Sequence, residues 1–276
     1  MYHTKNNMVL RGSKTKGTSV QHFIYGGTAG ACSRTIVAPL DRIKILMQTT
    51  QKTSSIRSIY QNIIKQEGIT SLWKGNMLNC CRIIPYSALQ FGTYDYCKSF
   101  QSTMNVRKRL ICGTIAGVTA ATITHPIDVI RHRLIMSKDI HTLGQAMRDV
   151  LKEQRGLFKG YGSTISSLVP FIAINFMTFD TLKSELRWTS VFGILSMGAA
   201  AALCSQTICY PLDTVRRRMQ IRDTPYKHGV EAIFKIIKQE GYLKLYAGMT
   251  VNALKIIPNN SIRFLVYELC NRSWNF

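Results

Sequence analysis

Three carboxylates recur with the same neighbours. Asp41, Asp128 and Asp213 each stand two residues after a proline, and Lys44, Arg131 and Arg216 each stand five after it, in PLDRIKILMQ, PIDVIRHRLI and PLDTVRRRMQ. Three such acid–base sets gathered at one place could make and break a ring of ion pairs between repeats. A second set of acids, Asp95, Asp180 and Glu268, stands ten residues after another proline, each preceded by an aromatic residue, Tyr94, Phe179 or Tyr267. Lys98 and Lys183 follow three residues later, while the third copy has Asn271 there. His125 and His132 flank the second signature, but no nucleophile or metal-ligand constellation accompanies them. The pattern offers reversible ion pairing rather than catalysis, and neither a metal nor a cofactor is expected.

Further cations fall inside stretches otherwise almost free of charge. Arg34 lies five residues before Pro39, Arg82 three before Pro85, Lys255 three before Pro258, and Arg263 two turns beyond Lys255. Ionisable groups in apolar spans are costly and mark a pathway or a partner. With no acid at these depths they call for an anion of several charges, and the arginine fork matches phosphate oxygens. Snorkelling to an interface is the competing reading, strongest for Arg263. At the place equivalent to Arg82 the middle repeat has Ser167 and Leu168, followed by Phe171. That uncharged patch is what a nucleotide's base would need.

Long helices are required to position these groups. Segments 110–127, 163–179 and 191–212 hold no Asp, Glu, Lys or Arg, and 22–40, 76–94 and 249–267 hold only one or two bases each. At about 1.5 Å per residue such segments reach across most of a hydrocarbon core of about 30 Å, which makes six spans. Six of the seven prolines occupy two positions of one repeat: Pro39, Pro126 and Pro211 are 87 and 85 residues apart, and Pro85, Pro170 and Pro258 are 85 and 88 apart. A proline inside a helix removes a hydrogen bond and kinks it, so equivalent kinks would draw the charged sets to a common axis. Gly30 and Gly117, with Gly26 and Gly113 four residues earlier, and Gly198 with Ala202 in the third repeat, predict close helix packing.

Before the second span of each repeat come EGITSLWKG, EQRGLFKG and EGYLKLYAG, after an amphipathic stretch such as SIRSIYQNIIKQEG. The expected fold is an all-α membrane protein, with six transmembrane helices in three pseudo-symmetric repeats over 20–104, 105–188 and 189–276 and a basic tail over 1–19. The net charge of +22 would suggest nucleic acid in a soluble protein. Much of it lies between spans, as at Lys65, Lys74, Arg107, Lys108, Arg109 and Lys235, where anionic lipid headgroups could meet it; no nucleic-acid partner is expected. The eight cysteines lack redox spacing and read as reduced packing residues.

Three copies in register of proline-x-acid-x-x-base, followed by acid-glycine-four-aromatic-base-glycine, resemble the signature of the mitochondrial carrier family from about residue 20 to 272. The second copy lacks the glycine after Glu153, and the third has Ala247 where a base is usual. The resemblance implies a transporter rather than an enzyme, with the short helices on the matrix side. It implies a matrix-side gate pairing Asp41 with Arg131, Asp128 with Arg216 and Asp213 with Lys44, braced by Gln48 and Gln220, the middle repeat having Ile135 instead. It implies a cytoplasmic-side gate in which Asp95 pairs with Lys183 and Glu268 with Lys98, leaving Asp180 opposite Asn271. Arg34, Arg82, Ser167, Leu168, Phe171, Lys255 and Arg263 would then contact substrate.

Within the family the pattern is similar to the adenine-nucleotide branch. That implies exchange of ADP and ATP by alternating access in the inner membrane of a mitochondrion or mitochondrion-related organelle. The carrier would function as a monomer, with membrane lipids, cardiolipin a candidate, around the WKG and FKG elements. SRTIVAPLDRIK and LKIIP also resemble carriers of ATP-magnesium with phosphate and of coenzyme A. The run Arg216, Arg217, Arg218, Met219, Gln220, Ile221 departs from the classical exchanger's three arginines and three methionines, which makes a divergent ADP/ATP carrier the expectation.

Overall fold

The computed structural model describes residues 19–50, 55–101, 105–137, 140, 142–154, 156–186, 190–221, 226 and 228–273, the side chains of 19–24, 191, 192, 195, 257, 260, 263, 264, 267, 268 and 271–273 excepted. Among these residues the regular structure is all helical. The order is α1 (Ser19–Thr49), α2 (Ile56–Glu67), α3 (Asn76–Ser99), α4 (Val106–Met136), α5 (Leu143–Lys152), α6 (Tyr161–Leu186), α7 (Val191–Met219), α8 (Gly229–Glu240) and α9 (Met249–Ser273). A 3₁₀ turn precedes each of α3, α6 and α9, at Ile69–Trp73, Gly156–Phe158 and Tyr242–Tyr246. Each third of the chain is thus a long helix, a short helix, a tight turn and a second long helix.

The long helices close into a ring in which α1 packs on α3, α3 on α4, α4 on α6, α6 on α7, α7 on α9 and α9 back on α1. Packing is most extensive where one repeat meets the next, at α1/α9, α3/α4 and α6/α7. Every long helix runs through its proline without a break. In α1 the carbonyl that Pro39 cannot serve belongs to Thr35, four residues back. The Trp73 indole donates to it at 2.8 Å, so the aromatic residue of the tight turn satisfies the group the proline orphans.

Gly30 and Gly117 do bring helices together. A Cβ on Gly30 would lie 3.4 Å from Ile83 of α3, and one on Gly117 would lie 2.6 Å from Ile172 of α6. Gly26 and Gly113 have open space instead, which corrects the expectation that both members of each glycine pair pack. One contact per pair suffices, because helices that cross touch over a short stretch.

The short helices are amphipathic, and each buries an i, i+4 stripe: Ile59 and Ile63 in α2, Ala146 and Val150 in α5, Ala232 and Ile236 in α8. These residues pack on the C-terminal part of the long helix before them, against Ile43, against Val129 with Leu134, and against Val215 with Met219. Caps define their starts: Ser55 accepts from the Ser58 amide, and Thr142 forms a reciprocal capping box with Gln145.

Repeats one and three end the short helix on a glycine of positive φ, Gly68 at 83° and Gly241 at 87°. Repeat two lacks that glycine and one residue. Its helix stops two residues sooner, and Gly156 is pressed so close that a Cβ would sit 1.9 Å from the Val150 carbonyl oxygen. Gly156→Ala is therefore expected to destabilise the folded protein by about 1–3 kcal/mol, read as a lower thermal midpoint in detergent. Gly162→Ala, with nothing within 4 Å, is the control and should leave the midpoint unchanged.

Candidate functional site

The charged sets meet where the C-terminal parts of α1, α4 and α7 converge. Arg131 Nη2 reaches Asp41 Oδ2 at 3.5 Å, joining α4 to α1. Arg216 Nη2 donates to Asp128 Oδ2 at 3.0 Å, joining α7 to α4. Lys44 Nζ donates to Asp213 Oδ2 at 3.0 Å, joining α1 to α7 and completing the ring. These pairings are the ones the resemblance implies. Gln48 lies against the third pair, donating to Asp213 at 3.4 Å and to Thr214 Oγ1 at 3.2 Å.

Gln220 departs from expectation. It donates to Thr164 Oγ1 at 3.4 Å rather than to the Asp128–Arg216 pair. The reason is local: α7 ends at Met219, so Gln220 lies past the helix and packs against the turn at Gly160, whereas Gln48 is still inside α1.

A second tier of cations rests on the same acids. Arg82 Nη1 donates to Asp128 Oδ2 at 2.9 Å, and Lys255 Nζ donates to Asp41 Oδ1 at 2.5 Å. Arg217 Nε approaches Asp213 Oδ2 at 3.4 Å. The expectation that Arg82 and Lys255 stand at a depth without acids is therefore corrected; their flexible stems span the turn separating the two tiers. Arg34 makes no ion pair among the described residues and donates to Asn79 Oδ1 at 2.8 Å.

These groups surround adjoining cavities. One, of about 240 Å³, is bounded by Arg34, Asn79, Arg82, Arg131, Arg217 and Lys255 with Asp41 and Asn259. A smaller recess adds Tyr86, His132, Leu168 and Arg216. It leads to a third cavity, of about 340 Å³, whose walls are Leu168, Phe171, Ile172, Phe176 and Phe179, with Tyr86, Gln90, Gly113 and Asn175. Leu168 and Phe171 thus sit where the apolar patch was expected. Ser167 is buried and lines none of the three; it is turned into the helix packing rather than the cavity.

At the other end of the bundle the described members of the second acid set stand apart from the described bases. Asp95, Lys98, Asp180 and Lys183 are exposed, and among the described residues Asp95 and Lys183 form no ion pair. Tyr94 and Phe179 are half-buried. The side chains of Arg263, Tyr267, Glu268 and Asn271 lie outside the described ones, as do residues 1–18.

Several contacts of the site escaped sequence reasoning. Asn252 accepts from Lys44 at 3.0 Å. His132 Nε2 receives Arg217 Nη1 at 2.9 Å while its Nδ1 donates to the Asp128 carbonyl at 2.7 Å, which sets the neutral Nδ1–H tautomer. A buried arginine also clamps each short helix: Arg42 to Glu67 at 2.8 Å, Arg133 to Glu153 at 2.8 Å, and Arg218 to Glu240 at 2.8 Å. The signal was the glutamate opening each EG element. It was obscured because Arg133 and Arg218 stand seven residues after their prolines and Arg42 only three, one helical turn earlier.

Burial alone would raise the Glu67 carboxyl, but the Arg42 hydrogen bonds and charge, with Lys74 beside them, hold it below its ordinary 4.5. Against the same burial, Arg133 and Lys159 hold Glu153 down. A depressed carboxylate stabilises the fold above its unfolded pKa and loses that contribution as pH falls through the folded value. Glu67→Gln, which leaves buried Arg42 without its counter-charge, should cost about 1–3 kcal/mol. The gap from wild type in thermal midpoint should stay constant from pH 7.5 to 5.5 and shrink only below about pH 4.5.

Comparison with known proteins now decides the family. The model for the mitochondrial carrier protein family matches three times, over residues 15–105, 102–190 and 187–276, which together span nearly the whole chain. The chain belongs to the mitochondrial carrier family. Among relatives, it is 39% identical over 269 residues to a thylakoid ADP,ATP carrier protein, chloroplastic, of Arabidopsis thaliana, covering 91% of this chain and 65% of that protein. It is 34% identical over 277 residues to a mitochondrial adenyl nucleotide antiporter of Xenopus laevis, covering 92% of this chain and 59% of the relative. An uncharacterized mitochondrial carrier of Saccharomyces cerevisiae is 32% identical, covering 91% and 92%. The carrier thus spans about two thirds or less of the first two and nearly all of the third.

As a mitochondrial carrier the chain is an all-α membrane protein, and its six long helices are the spans. By length and composition only α4 and the stretch Gly156–Leu186, each of mean hydropathy 1.4, are apolar enough among the described residues to identify as spans unaided. Of the other long helices, α1, α3 and α9 hold Arg34, Arg82 and Lys255 inside their apolar stretches, which lowers their mean hydropathy.

Proposed function

We propose that this carrier exchanges adenine nucleotides, ADP and ATP, by alternating access in the inner membrane of a mitochondrion or mitochondrion-derived organelle. The observation that carries the reading is a set of neighbouring cavities with two chemistries: a cationic one at Arg34, Arg82 and Lys255, and an apolar one at Phe171, Ile172 and Phe176, each sharing lining residues with the recess between them at Arg82 and at Leu168. Phosphates suit the first, because guanidinium forks bind their oxygens bidentately. A purine ring suits the second, where it gains aromatic contact and loses little solvation. The names of the Arabidopsis and Xenopus relatives, an ADP,ATP carrier and an adenyl nucleotide antiporter, support the same class of cargo.

In this reading the ring of Asp41, Asp128 and Asp213 is the closed matrix-side gate and Gln48 its brace. The acids and bases at Asp95, Lys98, Asp180, Lys183 and Glu268, with Tyr94, Phe179 and Tyr267, form the cytoplasmic-side gate when the molecule inverts. The repeats over 20–104, 105–188 and 189–276 hinge on their contacts with one another, and binding energy gained in the cavity offsets the disruption of one gate. Each chain holds a whole pathway and works as a monomer, with lipid around the WKG and FKG elements.

The test is uptake of labelled ATP into liposomes containing the purified carrier and loaded in turn with ADP, ATP, phosphate, coenzyme A or nothing. Uptake driven only by internal ADP or ATP is the expected outcome. Uptake driven by phosphate, or blocked by coenzyme A, would move the carrier to a neighbouring substrate within the family and overturn the proposal.

A further inference from the structure

Two carboxamides stand in a cavity whose other walls are apolar or aromatic. Gln90 of α3 and Asn175 of α6 both line the space of about 340 Å³ bounded by Leu168, Phe171, Ile172 and Phe176. Both are half-buried, and neither makes a hydrogen bond among the described residues. A polar group drawn out of water without a partner costs free energy. These amides therefore hold a donor and an acceptor each for whatever enters the cavity.

Their places in the repeat say which part of a nucleotide they would meet. Gln90 stands five residues after Pro85 and Asn175 five after Pro170, so the pseudo-symmetry puts the two amides at one level. Arg82, Tyr86 and Gln90 follow at i, i+4 and i+8 of α3, which sets Gln90 about 12 Å beyond Arg82 along the helix. That leaves room for a ribose between phosphates held at Arg82 and a base at the amides. Gly113 lines the same cavity from α4, the helix that packs on both α3 and α6. A Cβ there would meet nothing within 4 Å, so this wall is bare backbone with space beside it for a flat ring.

A carboxamide carries an N–H donor beside a C=O acceptor. Adenine presents the reciprocal pair, the amino group at position 6 beside the N7 acceptor, and the two match bidentately. A 6-oxopurine presents two acceptors there, and no rotation of the amide pairs both. The adenine amino group also has two hydrogens, one for each amide oxygen. We propose that the carboxamides of Gln90 and Asn175 select adenine over 6-oxopurines by hydrogen-bonding its edge, while Phe171, Ile172 and Phe176 cover its faces. The cations then supply affinity through the phosphates, and two neutral side chains supply the choice of base. This inference rests on the reading of the carrier as a nucleotide exchanger, and its test separates the two.

Competition by external ATP and by ITP against uptake of labelled ATP would be measured in liposomes loaded with ATP. ITP keeps the phosphates, the ribose and the ring but has an oxygen in place of the amino group. Wild type should need at least about tenfold more ITP than ATP for half-inhibition. Gln90→Leu and Asn175→Leu should each weaken ATP by about three- to tenfold and ITP by less than about twofold, so that the preference nearly vanishes in the double variant. Equal inhibition by ATP and ITP in wild type would overturn the proposal and leave nucleotide exchange standing. So would variants that weaken both nucleotides by the same factor, which is the mark of a packing role. If no nucleotide drives uptake or competes, the exchanger reading fails and base selection falls with it. Should a leucine variant fail to fold, shown by the loss of a cooperative thermal transition in detergent, the alanine variant at that position decides.

Discussion

Replacing Asp128 with asparagine is expected to cost the folded carrier about 3–5 kcal/mol, because breaking a buried ion pair from one side leaves its partners' charge uncompensated. Two guanidinium groups, from Arg82 and Arg216, converge on one oxygen of this carboxylate at 2.9 and 3.0 Å, and its side chain is 6% exposed. An amide keeps the shape but supplies no charge. The midpoint of thermal unfolding in detergent should fall by about 10 °C, and the variant should no longer rest with its first ring closed. Asp128→Asn melting within about 2 °C of wild type would show that the ring contributes little to holding the bundle together. Asp95→Asn is the comparison: exposed and without an ion pair among the described residues, it should leave the same midpoint unmoved.

The second large effect concerns transport. Arg82→Ala should lower nucleotide exchange in liposomes by about 100-fold. A charge-assisted hydrogen bond in a partly desolvated site contributes about 1.5–3 kcal/mol, and each factor of ten in rate or affinity corresponds to about 1.4 kcal/mol. The Arg82 guanidinium also lies over the Tyr86 ring, 5.4 Å from its centroid, which orients the fork. Arg82→Lys should recover much of the loss but not all of it, since an ammonium supplies charge without the planar fork. Exchange by Arg82→Ala within threefold of wild type would remove this residue from the substrate site.

The repeat and the gathering of the first ring were legible in the sequence because proline is rare and its consequences are local. Six prolines in two registers date every nearby residue to a helical turn, so Asp41, Asp128 and Asp213 fall into one ring with Lys44, Arg131 and Arg216, and the family resemblance supplied which acid meets which base. What register does not contain is the reach of a side chain. Arg82 and Lys255 stand three residues before their prolines, yet nothing in that spacing says that their side chains reach Asp128 and Asp41. Gln220 shows the converse limit. Its offset from Pro211 equals that of Gln48 from Pro39, but one more residue of helix separates a brace from a group folded into a turn. Arg42 hid among the buried arginines for a similar reason, entering its contact with Glu67 from a position one turn earlier than its counterparts.

The three arginine–glutamate clamps carry a mechanical consequence. Because Arg42, Arg133 and Arg218 are buried and bound to α2, to the residue just after α5, and to α8, each short helix is riveted to the end of the long helix before it. The pair forms a single bent lever. In the proposed alternating access, when such a lever swings its short arm turns through the same angle as its long arm, so the width of the exit is geared to the tilt of α1, α4 and α7 and needs no separate door.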